Sequence, residues 1–264
     1  MGTQIKWDIT VVHSSLEAFS AALKIWENTD YIGVFGGDGT LMQVAKALYL
    51  KPVPLVIFPG GTANVVAKEL KVPLNLEKAI ESFSSGKFSV RTIDMGLVNN
   101  LPFLIRLNMG ILENMVTDAS HEMKEHWGQF AYALSAFKNL NHDQDQYKIT
   151  LDGESFLLEA VALTVTNFGN IGIQGFSFLP GIQIDDGFLD LIVLTHADFG
   201  TLVNLTGSTL MQNDSSILKH WKAREIIIEM DKPESFLWDD RSEIASRLDI
   251  KIAPKSLHVL IPNL

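Results

Sequence analysis

Two glycine-rich segments stand out because each lies where a predicted strand gives way to a predicted helix. They are Gly36-Gly37-Asp38-Gly39-Thr40 and Gly61-Thr62-Ala63-Asn64-Val65-Val66-Ala67. At such a junction the first backbone N–H groups of the helix lack partners and the helix dipole is positive, which suits a phosphate group. Glycine also lets the backbone come close to phosphate oxygens. The recurrence of the pattern on consecutive strands indicates a phosphate-binding cleft.

Asp38 is unusual in a loop of this kind because its carboxylate would repel a bare phosphate. Its presence makes sense if it orders Mg²⁺ or accepts a proton from an attacking hydroxyl. The alternative is a tight turn in which Asp38 only caps the helix. The second glycine loop favours the chemical interpretation.

The elements that would position these loops alternate through residues 1–95. Strands are predicted at residues 9–13, 31–35 and 55–58, and helices at residues 16–26, 41–48 and 76–83. The first helix would bury Leu16, Phe19, Leu23 and Trp26 on one face. Thr40 and Gln43 fit a capping box for the second helix. The alternation predicts a Rossmann-like α/β domain with a parallel sheet.

The pattern changes after residue 95 to short strands bounded by turn residues. Hairpins are predicted at residues 97–107 and 147–166, single strands at residues 189–194, 225–230, 235–238, 248–252 and 257–261, and helices around residues 127–137 and 198–211. This pattern predicts an antiparallel β-sandwich or barrel over residues 96–264. A return of the C-terminal segment to the first domain is an option.

The composition indicates a folded, acidic protein. The 264 residues carry 21 Lys and Arg against 31 Asp and Glu, a net charge of −10, and 47% are hydrophobic. This charge balance argues against broad nucleic-acid binding, and the absence of cysteine excludes disulfide, zinc-ribbon, iron–sulfur and thiol chemistry. No apolar run reaches the roughly 18 to 20 residues of a membrane span, and no signal peptide is evident. We therefore expect a soluble, cytoplasmic protein.

The two glycine segments closely resemble the diacylglycerol kinase catalytic domain shared by bacterial lipid kinases and sphingosine kinases. Two later segments agree with that family: Pro180-Gly181-Ile182-Gln183-Ile184-Asp185-Asp186-Gly187-Phe188-Leu189-Asp190, and residues 253–262 as its closing strand. The first motif alone is shared with NAD kinases. All four motifs in this order are specific to the lipid-kinase family.

The resemblance implies roles for individual residues. Both glycine segments, residues 36–40 and 61–67, would bind ATP, and Thr92 matches a further nucleotide-contacting position. In bacterial relatives the Asp-Asp-Gly block holds a structural Mg²⁺. Transferred to this chain, the ligands would be the Asp186 side chain and the backbone carbonyls of Gln183 and Phe188. The alternative is that this block is only a turn before a strand.

The sequence departs from the family at three places, one of which is Leu112, where the family usually has glycine. The family opens with a phosphate loop that has no counterpart before residue 30, so we expect the chain to begin at the family's second strand. The late Asp-Gly-Glu that supplies the proposed general base corresponds to Asp239-Asp240-Arg241, with Glu243 nearby. A literal Asp152-Gly153-Glu154 has the setting of a hairpin turn. The catalytic candidates are therefore Asp38, Asp239 and Asp240.

The resemblance implies phosphoryl transfer from Mg-ATP to a diacylglycerol-like or sphingosine-like hydroxyl at a membrane surface. A nucleotide- or lipid-binding relative without turnover is the main alternative, and an NAD kinase is a weaker one. The expected partners are ATP and lipid, with transient membrane association, no nucleic acid and a homodimer as an option. The basic–aromatic run at residues 220–224 is more typical of a strand entry than of a lipid-headgroup contact.

Overall fold

The computed structural model describes residues 5–110, 145–170, 181–195 and 218–263. The helices are α1 (Ser15–Ile25), α2 (Asp38–Ala47), α3 (Val65–Glu69) and α4 (Leu76–Ser84). The strands are β1 (Ile32–Gly36), β2 (Leu55–Pro59), β3 (Phe88–Val98), β4 (Leu101–Phe103), β5 (Arg106–Gly110), β6 (Asp145–Leu151), β7 (Glu154–Ala160), β8 (Ala162–Thr166), β9 (Leu189–Leu194), β10 (Leu218–Ala223), β11 (Glu225–Trp238) and β12 (Arg241–Pro262). The helices predicted around residues 127–137 and 198–211 lie outside the described residues.

The first part of the chain forms an α/β domain around a short parallel sheet. Strands β1 and β2 pair in parallel, with Ile32 opposite Leu55, and all five residues of β2 are buried. This burial on both faces is what the continuous apolar run at residues 55–58 predicts. The end of β12 lies parallel to β2 on its other side, with Val259 opposite Leu55. The C-terminal strand thus completes the sheet of the first domain.

Helix α1 forms where it is predicted but buries a different face. Ala18 and Ala22 are its buried residues, while Leu16 and Leu23 are exposed. Helix α1 packs against α2, and small residues at that contact let two helices approach closely. The prediction that Leu16 and Leu23 belong to the buried stripe is therefore wrong.

The strand predicted at residues 9–13 is also wrong, because that segment is irregular in the structure. A strand requires a neighbouring strand for its backbone hydrogen bonds, and no described strand pairs with this segment. Upstream of it, Trp7 packs its ring against those of Phe58 and Phe83. The N-terminal segment is thus held by aromatic packing rather than by a sheet ladder.

The remainder of the described chain is antiparallel and forms a β-sandwich, as predicted. The hairpin turns at Asn99-Asn100 and Asp152-Gly153 have positive φ at both residues, the conformation that two-residue hairpins favour. Asp152-Gly153-Glu154 is therefore a turn between β6 and β7. The segments predicted as separate strands at residues 225–238 are continuous in β11, and those at residues 248–261 are continuous in β12.

Strands β3 and β12 connect the two parts of the molecule. They pair antiparallel from Ile250 opposite Val98 to Pro262 opposite Phe88, with an irregularity between Ala253 and Leu257. One hydrophobic core lies around β1, β2 and the helices, and the other lies inside the sandwich. Because both long strands contribute to both cores, they fix the relative position of the glycine loops and the sandwich.

None of the described helices is long and apolar enough to cross a bilayer.

Candidate functional site

The two glycine loops lie against each other at the carboxyl ends of β1 and β2. A Cβ atom built on Gly61 would come within 2.6 Å of the Cα atom of Gly37, which leaves no room for a side chain. The N–H of Gly60 donates to the carbonyl oxygen of Gly36 at 2.9 Å. The sequence therefore needs glycine at Gly61 because the two backbones touch there.

Asn64 closes the second loop on itself. Its backbone has a left-handed conformation with φ 47°, which Asn tolerates better than most residues. Its Oδ1 accepts the N–H of Gly61 at 3.0 Å, and its Nδ2 donates to the carbonyl oxygen of Gly61 at 2.6 Å. This pair of bonds sets the shape of the loop before helix α3 begins.

Asp38 connects the two loops from the first turn of α2. Its Oδ1 accepts the N–H of Val66 at 3.3 Å. The capping-box prediction is wrong, because α2 begins at Asp38 with Gly37 as its N-cap and Thr40 lies inside the helix. Gly37 caps the helix, and Asp38 and Gly39 lie in its first turn. The helix therefore starts earlier than the apolar pattern indicates.

The predicted nucleotide-binding residues fall into different environments. Val65, Val66 and Ala67 are buried in the core of the first domain, so their side chains serve packing. Thr62 is exposed, and Gly39 and Thr40 are partly exposed beside the loop. Thr92 lies on β3 opposite His258 of β12. That position is in the sheet of the first domain and not in either glycine loop.

Asp239 is held as a buried carboxylate at the tight turn between β11 and β12. It has a positive φ of 51° and accepts the N–H groups of Leu104 and Ile105, each at 2.9 Å. Its side chain has no exposed surface, and the ammonium of Lys46 lies 3.3 Å from Oδ2. The carboxylate of Asp239 therefore stabilises the fold, since its oxygens are already engaged by donors.

Asp240, the next residue, faces outward and keeps 26% of its side chain exposed. Nε2 of Gln43 lies 3.1 Å from each carboxylate oxygen, and the ammonium of Lys46 lies 3.4 Å from Oδ1. Gln43 and Lys46 share one face of α2 because they are three residues apart. Lys46 also lies 4.6 Å from the ring centroid of Trp238, a cation–π contact.

Arg106, the first residue of β5, carries positive charge between the loops and the late turn. Burial lowers the pKa of Arg106 to about 10, although the carboxylates of Asp239, Asp38 and Glu69 oppose that shift. Burial also raises the pKa of Glu69, against the hydrogen bond from the N–H of Asn170 and the charge of Arg106. Arg106 is therefore electrostatically coupled to acids from both domains.

The predicted metal ligands lie at a turn before β9, away from the glycine loops. Gln183 is exposed, and Oδ1 of Asp186 accepts the N–H of Phe188 at 3.1 Å. The other oxygen of Asp186 lies 2.6 Å from the ammonium of Lys222. No cluster of three or more His, Cys, Asp or Glu suited to a metal occurs in the described ranges. With Lys222 in this position, these residues do not fit a divalent ion.

The comparison with family models adds to this geometry. Residues 2–98 match the model described as the diacylglycerol kinase catalytic domain. Residues 108–261, more than half of the chain, match the model described as the YegS C-terminal NAD kinase beta sandwich-like domain. The chain belongs to the family that combines a diacylglycerol kinase catalytic domain with a YegS C-terminal domain. Membership in this family supports a lipid kinase.

The individual relatives of this chain are distant in sequence. An uncharacterized protein of Synechocystis sp. is 28% identical over a 247-residue alignment, and the match covers 89% of this chain and 56% of that protein. A proposed lipid kinase of Staphylococcus aureus (strain Newman) is 24% identical over 90% of this chain and 79% of its own length. The chain thus spans little more than half of the Synechocystis protein.

A solved structure extends the comparison to three dimensions. The crystal structure of a proposed diacylglycerol kinase from Bacillus anthracis (strain Sterne) matches with a TM-score of 0.82. It is 27% identical, and the match covers 96% of this chain and 83% of that protein.

Three side chains at the site are not expected from the sequence. Gln43 was assigned to a helix cap, and Lys46 and Arg106 were not singled out. Lys46 is a polar residue inside the apolar pattern of α2 and is only 8% exposed. A lysine predicted on a buried helix face needs a counter-charge. The position of Lys46 in the apolar pattern is therefore the signal in the sequence that an acidic partner lies nearby.

Proposed function

We propose that this protein transfers the γ-phosphoryl group of Mg-ATP to the hydroxyl group of a lipid of the diacylglycerol or sphingosine class. One observation carries the proposal: a single helix, α2, bears Asp38 beside the contacting glycine loops and, on a later turn, the residues that hold Asp240. A phosphate-binding end and a candidate proton acceptor are therefore fixed relative to each other by one rigid element.

The loop residues of the chain would bind the nucleotide phosphates. The first N–H groups of α2 have no intrahelical partners, and the absence of side chains at Gly37 and Gly61 exposes the backbone. Asp38 would hold the Mg²⁺ that accompanies ATP and neutralises phosphate charge. Arg106 would add a fixed positive charge on the side of the sandwich, since it is coupled to Asp38 and to Asp239.

Asp240 is a better candidate general base than Asp239. The oxygens of Asp239 are engaged by two backbone N–H groups and by Lys46, and its side chain has no exposed surface. Asp240 is partly exposed and is oriented by Gln43. Because Gln43 follows Asp38 by five residues, it lies roughly 7 to 8 Å further along the helix axis. Asp240 is therefore held at a later turn of α2 than the one that carries Asp38.

The acceptor would enter from a membrane surface, because diacylglycerol-like and sphingosine-like molecules reside in bilayers. Transient contact of the protein with that surface follows from this proposal. Its support is family membership together with the partly exposed position of Asp240, where a turn of the sandwich contacts helix α2.

The direct test is phosphoryl transfer in mixed micelles. Purified protein, Mg²⁺ and γ-labelled ATP are incubated with diacylglycerol, sphingosine or a prenol, and labelled lipid is separated by thin-layer chromatography. We expect labelling of one lipid class, with loss on Asp38→Asn or Asp240→Asn. Glu243→Gln is the matched control, since Glu243 is an exposed acid three residues after Asp240. No labelled lipid with any acceptor would refute the proposal.

A binding protein without turnover is the second candidate, and the environment of Asp240 favours it. Both oxygens of Asp240 already accept from Gln43, and Lys46 neutralises its charge, so proton abstraction requires these donors to release it. Arg241 follows where the family carries the acid of Asp-Gly-Glu. Calorimetry distinguishes the two candidates, because ATP binding without labelled lipid would establish a binding protein. NAD as acceptor tests the weaker NAD kinase alternative.

A further inference from the structure

The turn before strand β9 is held by side chains from other elements. Arg91 on β3 places Nε 2.8 Å and Nη2 2.7 Å from Oδ2 of Asp185. The N–H of Gly187 donates to Oδ2 of the buried Asp94 at 2.7 Å. A charged pair and a buried carboxylate therefore order the turn on the side of the first domain.

Lys222 holds the opposite side of the same turn. Its ammonium lies 2.6 Å from Oδ2 of Asp186, 3.3 Å from the carbonyl oxygen of Gly181 and 3.9 Å from Oδ1 of Asp190. The antiparallel register of β9 and β10 sets this position, because Lys222 lies directly opposite Asp190. Carboxylate and carbonyl oxygens are also the ligands that Mg²⁺ prefers. The ammonium thus lies in an environment suited to a small cation.

Both oxygens of Asp186 are already in contact with a donor. Its Oδ1 accepts the N–H of Phe188 at 3.1 Å, while Oδ2 is in contact with Lys222. The guanidinium carbon of Arg224 lies 5.0 Å from the ring centroid of Phe188 and adds further positive charge. A divalent ion bound to Asp186 would lie next to the ammonium of Lys222. Like charges in direct proximity repel each other, which disfavours binding of the ion.

Asp190 explains why this turn needs a fixed cation. Its side chain is fully buried, and its Oδ1 lies 2.6 Å from Nε2 of His220. Its Oδ2 has no hydrogen-bond partner among the described residues. A buried carboxylate is costly unless its charge is compensated. Lys222 lies within ion-pair distance of both Asp186 and Asp190, and at Asp190 it adds its charge to the contact from His220.

We propose that the ammonium of Lys222 is the resident cation of this turn and replaces the divalent metal ion that Gln183, Asp186 and Phe188 are expected to hold. The turn is then ordered without Mg²⁺. Removal of Lys222 exposes an acidic, oxygen-lined position that Mg²⁺ can enter. The inference concerns folding stability and does not depend on phosphoryl transfer.

Thermal unfolding of the full chain without nucleotide tests the inference. For the wild-type protein we expect the same Tm in EDTA and in millimolar MgCl₂. For Lys222→Met we expect a Tm in EDTA that is lower by roughly 2 to 4 °C and that MgCl₂ largely restores. Lys219→Met is the matched control, since Lys219 lies on the same strand and is exposed. Its Tm should change little in either solution.

Two outcomes would overturn the inference. One is a wild-type Tm that rises saturably with MgCl₂ and loses this response in Asp186→Asn, because the metal would then bind beside Lys222. The other is a Lys222→Met protein that unfolds like Lys219→Met and ignores MgCl₂. If Lys222→Met does not fold, the wild-type titration and Asp186→Asn still decide the question, and Lys222→Arg should remain insensitive to Mg²⁺.

Discussion

The ammonium of Lys46 lies 3.3 Å from Oδ2 of Asp239, and both side chains are almost completely buried. This ion pair joins helix α2 of the α/β domain to the turn between β11 and β12 of the sandwich. Two backbone N–H groups complete the environment of the Asp239 carboxylate. The pair therefore fixes helix α2 against the turn that carries Asp240.

Replacement of Lys46 by Met should destabilise the protein by about 3 kcal/mol, because it leaves a buried carboxylate without its counter-charge. Met keeps most of the apolar stem, so the loss reports the charge. Urea unfolding measures the change. Lys78→Met on the exposed face of α4 is the control and should stay within roughly 0.5 kcal/mol of wild type. Equal midpoints for the two variants would contradict the structural role of the pair.

Asp239 and Asp240 should respond differently to the same substitution. Asp239→Asn places an amide donor against backbone N–H groups and should cost about 2 kcal/mol of unfolding free energy. Asp240→Asn should cost less than about 1 kcal/mol because its side chain is partly exposed, yet lower phosphoryl transfer by roughly 10²- to 10⁴-fold. Urea unfolding and the micelle assay together provide both measurements. Full transfer activity in Asp240→Asn would exclude Asp240 as the base.

Because the glycine loops are in contact, replacement by alanine should affect stability differently at Gly61 and at Gly39. Gly61→Ala would force a Cβ atom to within 2.6 Å of Gly37, so we expect a loss of about 1 to 3 kcal/mol. Gly39→Ala meets nothing within 4 Å and lies in helix α2, where alanine is the better helix former. Urea unfolding should therefore show Gly39→Ala at least as stable as wild type. A stable Gly61→Ala protein would mean that the loops can separate without cost.

The strands of both domains could be predicted where local pattern and tertiary environment agree. Residues 55–58 and 189–194 are continuous apolar runs, and both form strands that are buried along their whole length. The hairpin turn at Asp152-Gly153 was identified because its residues tolerate positive φ. Pattern failed at residues 9–13, where the residue types suit a strand but no described strand lies beside the segment.

The contacts of the site could not be predicted from local pattern. Gln43 and Asp240 are 197 positions apart, and their contact depends on how the α/β domain and the sandwich meet. The resemblance located Asp239-Asp240 but gave no reason to prefer one carboxylate. Burial decides between them, and burial is a property of the assembled fold. The contact between Lys222 and Asp190 could not be predicted for the same reason, because it depends on the register of β9 and β10.

The pair formed by Tyr147 and Glu234 in the sandwich gives a prediction about pH. The hydroxyl of Tyr147 donates to Oε2 of Glu234 at 2.9 Å. Burial raises the pKa of Glu234 above its ordinary value of 4.5, and the bond from Tyr147 opposes that rise. A carboxyl group with a raised pKa in the folded state costs stability as pH rises from 4.5 through that folded pKa. The bond from Tyr147 reduces this cost.

Tyr147→Phe should therefore be more harmful at neutral than at acidic pH. The bond to a protonated Glu234 contributes about 1 kcal/mol, whereas the bond to the ionised carboxylate contributes about 2 kcal/mol. Urea unfolding across the acidic to neutral range should show the difference between variant and wild type growing as pH rises. Tyr31→Phe, at an exposed tyrosine of the first domain, should show a difference that is small at every pH. A Tyr147→Phe loss that does not change with pH would mean that Glu234 stays protonated in the folded protein, and the sandwich would then contain a neutral pair.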